Sequence, residues 1–465
     1  MPSSQLHVLG AADTVTGSRY LIQTASARVL VDCGLFQGYK VLRERNRAPF
    51  PVAPDTVDGV VLTHAHLDHS GYLPALVRDG FAGRVYATPG TTELCRILLP
   101  DSGRLLEEEA EWARKKGFSR HDKPQPLYRE VDAFAALRVF HPQPLDVPFE
   151  PAPGIEARLL PAGHITGAAQ VTVRTEDVTI HFSGDLGRPA DALMRAPAPP
   201  PAADILVVES TYGNRRHPES DPEAELGPVI RRVVERRGVV LIPAFAVGRA
   251  ESILLRLSRL RDRGEIPDVP VYLNSPMAVA ATDLARQHPE ERRQSAEEAE
   301  RVAALAIPVR TVEESIALNA RSGPMIIVAA SGMLTGGRVL HHLARFGPDP
   351  RNAILLSGFQ AGGTRGADLA AGARSLRIFG RDVPIAAEVV QLSSLSAHAD
   401  ADEIMDWLRQ APRAPRLTLV THGEPEAADT LRRRIAHELG WNVRVPEHRD
   451  VIELSAVAEP RQPGE

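Results

Sequence analysis

Cysteine is nearly absent: the 465-residue chain has two, Cys33 and Cys95. Two thiols make no disulfide framework, so the fold must rest on packed cores, and a cytoplasmic location is the natural expectation. Long apolar runs are missing as well. No stretch of eighteen apolar residues occurs, which predicts no transmembrane helix. Residues 1–10 also lack the basic start and apolar core of a secretory signal. Excess positive charge is lacking too. The net charge is −5, so any basic surface for a polyanion must be local. Lysine occurs only at 40, 115, 116 and 123, and codon usage in a GC-rich genome accounts for the arginine that replaces it elsewhere. What remains is ordinary globular composition, 43% hydrophobic and 24% charged, with length for two to three domains.

Short β-branched runs bounded by polar or Gly-rich segments predict buried strands at 57–63, 178–182 and 204–208. Residues 102–117 predict a helix, with acidic residues early, lysine late and glycine at its end. The Pro/Ala-rich stretch 195–203 reads as a connector. From about 209 a second series begins, with strands at 238–243, 269–273, 325–330 and 353–356 and helices at 248–260 and 338–345. That alternation predicts a doubly wound α/β domain. Two late strands, 388–392 and 416–420, each precede a His-containing turn, and the tail from about 456 reads as frayed.

Chemistry gathers first at 63–71, THAHLDHSG, which puts His64, His66, Asp68 and His69 on one tight loop after a strand. Zinc takes imidazole nitrogen and carboxylate oxygen, and a hydrolytic site keeps a position open for water. Four such groups crowd a single ion but divide well between two, His64 and His66 on one, Asp68 and His69 on the other. His164 in LLPAGHITG, Asp185 in HFSGDLG and His422 in LVTHGEP each follow an apolar run beside glycine, where open α/β sheets gather ligands. His164 then completes the first set, His422 the second, and Asp185 bridges both.

These segments resemble the signature of the metallo-β-lactamase superfamily. VVESTYGNR (207–215), SLSAHAD (394–400) and THGEP (421–425) resemble motifs A, B and C of its β-CASP nucleases, with Glu209, His398 and His422 at the motif positions. DSGRLLEEEAE (101–111), PAFAVGRAE (243–251) and ASGMLTGGRVL (330–340) are similar to the same family, so the resemblance covers nearly the whole chain. It is most similar to the bacterial and archaeal homologues of the endonuclease subunit that cleaves pre-messenger RNA before polyadenylation.

The resemblance implies an αββα sandwich with an inserted doubly wound α/β β-CASP domain that caps the active site. The sandwich would comprise 1–208 and 387–465, and the insert 209–386. It further implies two zinc ions sharing a hydroxide that attacks phosphorus, with Asp68 and Glu209 as catalytic residues beside His398, which aids the leaving oxygen. Asp32 resembles a position that supports the metal site from behind, whereas Cys33 reads as buried packing. A histidine at motif C accompanies RNA-cleaving members, and valine stands there in DNA-repair members. The sequence opens almost at once on the hydrolase domain, which resembles bacterial members.

Within the insert, the Gly-rich turns 331–338 and 357–366 have the form that presents backbone N–H groups and a helix end to anions. Ser331, Thr335, Ser357 and Thr364, with Arg249, Arg338 and Arg365, are therefore candidate RNA-binding residues. The expected function is a zinc-dependent ribonuclease, endonucleolytic, 5′-exonucleolytic or both, leaving 5′-phosphate and 3′-hydroxyl ends. Single-stranded RNA is the expected partner, no membrane is involved, and a homodimer stays open. The rival readings are a DNA nuclease of the same fold, a small-ester hydrolase, and an inactive RNA-binding scaffold.

Overall fold

The computed structural model describes residues 4–116, 124–218, 221–358, 360–392 and 394–458. Two compact units emerge. The first comprises 1–37, 41–216 and 398–465, and the second 38–40 and 217–397.

The first unit stacks two seven-stranded sheets. One runs in the order Val451–Glu453, Gln5–Val8, Tyr20–Gln23, Arg28–Val31, Gly59–Val61, Arg84–Ala87, Phe140–Pro142. The other runs Val443–Arg444, Leu417–Thr421, Ile205–Glu209, Thr179–Phe182, Ala169–Arg174, Ile155–Pro161, Phe149–Ala152. Strand alternation explains the layering. Ile205, Val207 and Leu419 turn inward to meet Val29, Val31 and Val61 of the facing sheet. Leu206, Val208 and Val420 turn outward, where Ile404, Met405 and Leu431 of helices Ala401–Leu408 and Pro425–Arg434 cover them. This is the expected αββα sandwich.

One element differs from its prediction. The helix expected at 102–117 begins at Pro89 and runs to Lys116, with Pro100 inside it. A proline within a helix costs about 3 kcal/mol. Leu94, Cys95, Leu98 and Leu99, all buried in the preceding turns, offset that at roughly 1.5–3 kcal/mol per large side chain. Burial, which a local pattern does not report, overrides the breaker.

The second unit holds a six-stranded parallel sheet in the order Ala306–Pro308, Val271–Asn274, Met325–Ala329, Val239–Pro243, Ala353–Leu356, Glu388–Gln391. Later strands add on both sides of Val239–Pro243, which makes the winding double. The four inner strands are buried along their whole length, as parallel strands covered on both faces must be. Ile205–Glu209 pairs inside the sandwich, and its motif loop stays with that sheet, so the main stretch of this unit is 217–397. Of the tail expected to fray, 456–458 end helix Leu454–Ala458 and the remainder lies outside the described residues. No helix among the described residues is long and apolar enough to cross a membrane.

Candidate metal centre

The strands Arg28–Val31, Gly59–Val61, Thr179–Phe182, Ile205–Glu209 and Leu417–Thr421 deliver acidic or imidazole side chains at or just beyond their carboxyl ends. His66 stands at the N-cap of the short helix Leu67–Ser70, which sets Asp68 and His69 on its single turn. A neighbouring segment clamps this loop through its backbone. Ser18 N donates to Asp68 O at 2.9 Å, Cys33 N to His69 O at 2.7 Å and Leu35 N to Leu67 O at 2.8 Å. Gly34 sits in that clamp. A Cβ there would lie 1.6 Å from the Asp68 carbonyl oxygen, so only glycine allows the approach.

The candidate ligands gather in two groups. His64, His66, His164 and Asp185 offer atoms within 4.8 Å of one another, and so do Asp68, His69 and His422. In the first set His64 Nε2 lies 3.1 Å from His66 Nδ1, which lies 3.3 Å from His164 Nε2. In the second, His69 Nε2 and His422 Nε2 are 3.2 Å apart, and His422 Nε2 is 3.6 Å from Asp68 Oδ2. Asp185 faces both. Its Oδ2 is 3.4 Å from His64 Nε2 and 3.6 Å from His164 Nε2, and its Oδ1 is 3.2 Å from His69 Nε2 and 3.6 Å from His422 Nδ1.

These distances fit metal ligation. Nitrogens about 2.1 Å from a tetrahedral zinc stand roughly 3.4 Å apart. Imidazole nitrogens and a carboxylate oxygen gathered at that spacing are also the donor types zinc takes. Asp185 Oδ1, buried, accepts no hydrogen bond of good geometry despite the nearness of His69, as an oxygen reserved for a cation does.

The electrostatics agree. Burial pushes His64 down to about 3, with His69 adding to it, and burial together with His398 holds His164 well below its ordinary range. Both are neutral, the form that ligates. Burial opposes charge on His69 as well, but Asp185 and Asp32 outweigh it and raise that group well above its usual value. A cation at the second set would displace that proton, so metal uptake there releases protons.

Supporting residues point the rings. Asp32 Oδ2 takes His69 Nδ1 at 2.7 Å, and Asp32 Oδ1 accepts Thr63 N at 2.7 Å. Thr63 Oγ1 lies 3.1 Å from His64 Nδ1, and Thr211 Oγ1 lies 3.1 Å from His422 Nδ1. Asp32 and His422 both sit at positive φ, 58° and 49°, a backbone cost often found where side chains must be aimed. Thr63 and Thr211 escaped sequence reasoning. Their signal is only adjacency, Thr63 beside His64 and Thr211 two residues after Glu209.

Glu209 and His398 also meet. His398 Nδ1 lies 3.1 Å from Glu209 Oε1 and 3.2 Å from Oε2, and Leu186 N donates to Glu209 Oε1 at 2.6 Å. His398 Nε2 points toward the metal centre, 4.0 Å from Asp185 Oδ2. Burial works against a charge on His398, yet Glu209, Asp185 and Asp68 raise it to about 9.

The candidate RNA-binding residues lie in the second unit and divide by role. Ser331 and Thr335 pair their hydroxyls at 2.9 Å near the surface. Ser357, buried, donates to Pro243 O at 2.9 Å, and Thr364 donates to Ala361 O at 2.7 Å while capping helix Arg365–Ala370. Arg338 donates to Asn274 Oδ1, Val309 O and Arg310 O, and Arg365 to Arg377 O, Leu334 O and Thr335 O. Arg249 is buried at the start of helix Arg249–Asp262. Ser357, Thr364, Arg338 and Arg365 are thus braces of their loops. Backbone carbonyls left over at turns claim these donors, a need invisible until the turns are folded.

Comparison with known proteins places this geometry. The metallo-β-lactamase superfamily model matches residues 13–226, the β-CASP domain model 250–369, and the model of a Zn-dependent metallo-hydrolase RNA specificity domain 382–446. A ribonuclease of Thermus thermophilus is 39% identical over 429 residues, 90% of this chain and 92% of that one. This chain belongs to the β-CASP family of the metallo-β-lactamase superfamily. Transcription termination factors FttA are similar to this β-CASP protein as well. The one from Pyrococcus abyssi is 32% identical over 474 residues, covering 96% of this chain and 70% of its own. That of Methanocaldococcus jannaschii is 33% identical over 453 residues, covering 91% and 68%. The fold expected from the sequence is therefore the family's, and its chemistry is that of a metal-dependent hydrolase.

Proposed function

We propose that this β-CASP protein is a two-zinc ribonuclease that hydrolyses single-stranded RNA to 5′-phosphate and 3′-hydroxyl ends. The observation that carries the reading is Asp185, one carboxylate directing an oxygen at each of two imidazole-rich donor sets. His64, His66 and His164 would hold one ion, Asp68, His69 and His422 the other, and Asp185 both. When bound, such a pair supplies Lewis acidity toward phosphoryl oxygens and an acidified water.

The protein's own groups do the remainder. Asp32, Thr63 and Thr211 keep the imidazoles in ligating orientation. Glu209 holds Nδ1 of His398, so the proton on Nε2 is available to the departing 3′ oxygen. Ser331, Thr335 and the backbone of their loop position phosphates without reading sequence. Both thiols are free and buried, which fits the cytoplasmic setting we propose.

The test incubates wild type and Asp68→Ala with end-labelled single-stranded RNA and the matching DNA. Fragments from RNA alone, made only by wild type and lost with chelator, support the reading, and their sizes separate internal from terminal cutting. Equal cutting of DNA overturns the choice of substrate. Zinc binding without cleavage of either polymer overturns the nuclease and leaves small esters or a scaffold.

A further inference from the structure

In the second unit the hairpin Ser375–Ile378 and Arg381–Pro384 pairs Ile378 with Arg381, so it closes through Phe379 and Gly380 alone. Both have positive φ, 50° and 77°, the pattern of a type I′ turn. Such a turn favours Asn or Asp before Gly. A phenylalanine there carries a steric penalty, and its side chain is not drawn fully into the core but stays 38% exposed. Instead the ring lies over the imidazole of His341, centroids 4.4 Å apart and planes tilted by 33°. His341 is itself on the surface, and the partial burial of its ring lowers its pKa from the ordinary value.

The surroundings are those of a polyanion. Arg365 ties the hairpin to the loop before helix Arg338–Phe346, donating to Arg377 O at 2.8 Å and to Leu334 O and Thr335 O at 3.1 and 3.2 Å. Thr335 is exposed on that loop, and Gly337 opens the helix without a side-chain cap. His341 lies one turn into this helix. Arg377 and Arg381, both exposed, flank the aromatic turn, with Arg377 paired at 3.4 Å to the exposed Asp382. An aromatic shelf, an exposed threonine on a Gly-rich turn and arginines together are the parts of a single-strand binding site.

We propose that Phe379 and His341 form a stacking platform for a base of single-stranded RNA, with the 331–338 loop receiving the adjoining phosphate. The proposal rests on the ribonuclease reading and names how that substrate is held. Stacking uses the face of a base rather than its edge, so the platform tolerates any sequence.

The experiment compares full-length, zinc-loaded wild type, Phe379→Gly and Phe379→Trp. It measures KM and kcat on a fluorescent single-stranded RNA, turnover of bis(p-nitrophenyl) phosphate, and melting temperature. Glycine suits the positive φ, so Phe379→Gly keeps its melting temperature and its small-diester turnover. Its KM for RNA rises about fivefold to a hundredfold with kcat little changed, as loss of one stacked base requires. Phe379→Trp retains the wild-type KM. A Phe379→Gly KM within about twofold of wild type overturns the platform and leaves the ring to a protein partner. A wild type that cuts the small diester but neither binds nor cuts RNA overturns the ribonuclease reading and the platform with it.

Discussion

His69 has two ring nitrogens, and Asp32 decides which of them serves the site. Its Oδ2 takes Nδ1 at 2.7 Å, leaving Nε2 for the donor set with His422 and Asp68. Partners of this kind usually contribute 10–100-fold in metal affinity. Asp32→Ala should therefore weaken zinc binding at the second donor set by about that factor in a competition titration, with a smaller loss at the first, which Asp32 reaches only through Thr63 and His64. Unchanged affinity at both sites would mean that Thr63 alone orients the ring. Glu209→Gln addresses the other histidine. It keeps the shape beside His398 but removes the charge that raises this group to about 9. Zinc content should stay at the wild-type level while kcat on RNA falls about a hundredfold or more, as loss of a positioned acid does. A normal kcat would remove His398 from the reaction.

Arg338 shows an element's needs overriding a residue's apparent purpose. It begins helix Arg338–Phe346, where an arginine looks ready for phosphate, yet its guanidinium joins the helix to Asn274, Val309 O and Arg310 O. Arg338→Leu should destabilise by about 2 kcal/mol in urea, the usual worth of bonds to a charged group. RNA affinity lost without any loss of stability would restore the phosphate role. Strands were legible because each is short, β-branched and bounded by polar turns. Val239–Pro243, Met325–Ala329 and Ala353–Leu356 lie where the periodicity placed them. The helix Pro89–Lys116 was legible only in its charged second half, since its first half is hidden by burial and interrupted by Pro100.

At the scale of the whole molecule, buried neutral histidines make stability depend on pH. Burial depresses His181 to about 3 and His342 to about 4. His181 is enclosed by Thr172 Oγ1 and Gln170 Oε1, and His342 bonds Asn319 Oδ1 and the Asn274 amide. Between about pH 6.5 and 4 the unfolded chain takes up protons that the folded chain refuses, so stability falls as pH falls through that window. Urea midpoints of chelated protein at pH 6, 5 and 4.5 should decline in that order. In that range His69 and His398, both raised above the usual value, are largely charged folded or unfolded and drop out of the slope. Each such histidine removes up to about 1.4 kcal/mol for every pH unit in which only the unfolded chain is protonated. His342→Gln should flatten the slope. A midpoint indifferent to pH would show that both groups ionise in the folded state.

What the sequence by itself determined is the chemistry available: a loop with His64, His66, Asp68 and His69, later His164, Asp185 and His422, and the strands that end beside them. Those assignments needed only local pattern, because a strand followed by a tight polar turn sets its ligands within a few residues of each other. Tertiary structure alone decided which nitrogen of each ring faces the centre and which oxygen of Asp185 faces which donor set, and it brought Thr63 and Thr211 behind the ligands. It also turned Arg338 and Arg365 into braces and left Phe379 exposed on His341. The reason is distance along the chain. Contacts such as His69 with His422 and Glu209 with His398 join residues 353 and 189 positions apart, and no local preference encodes which side of a ring or carboxylate they will meet.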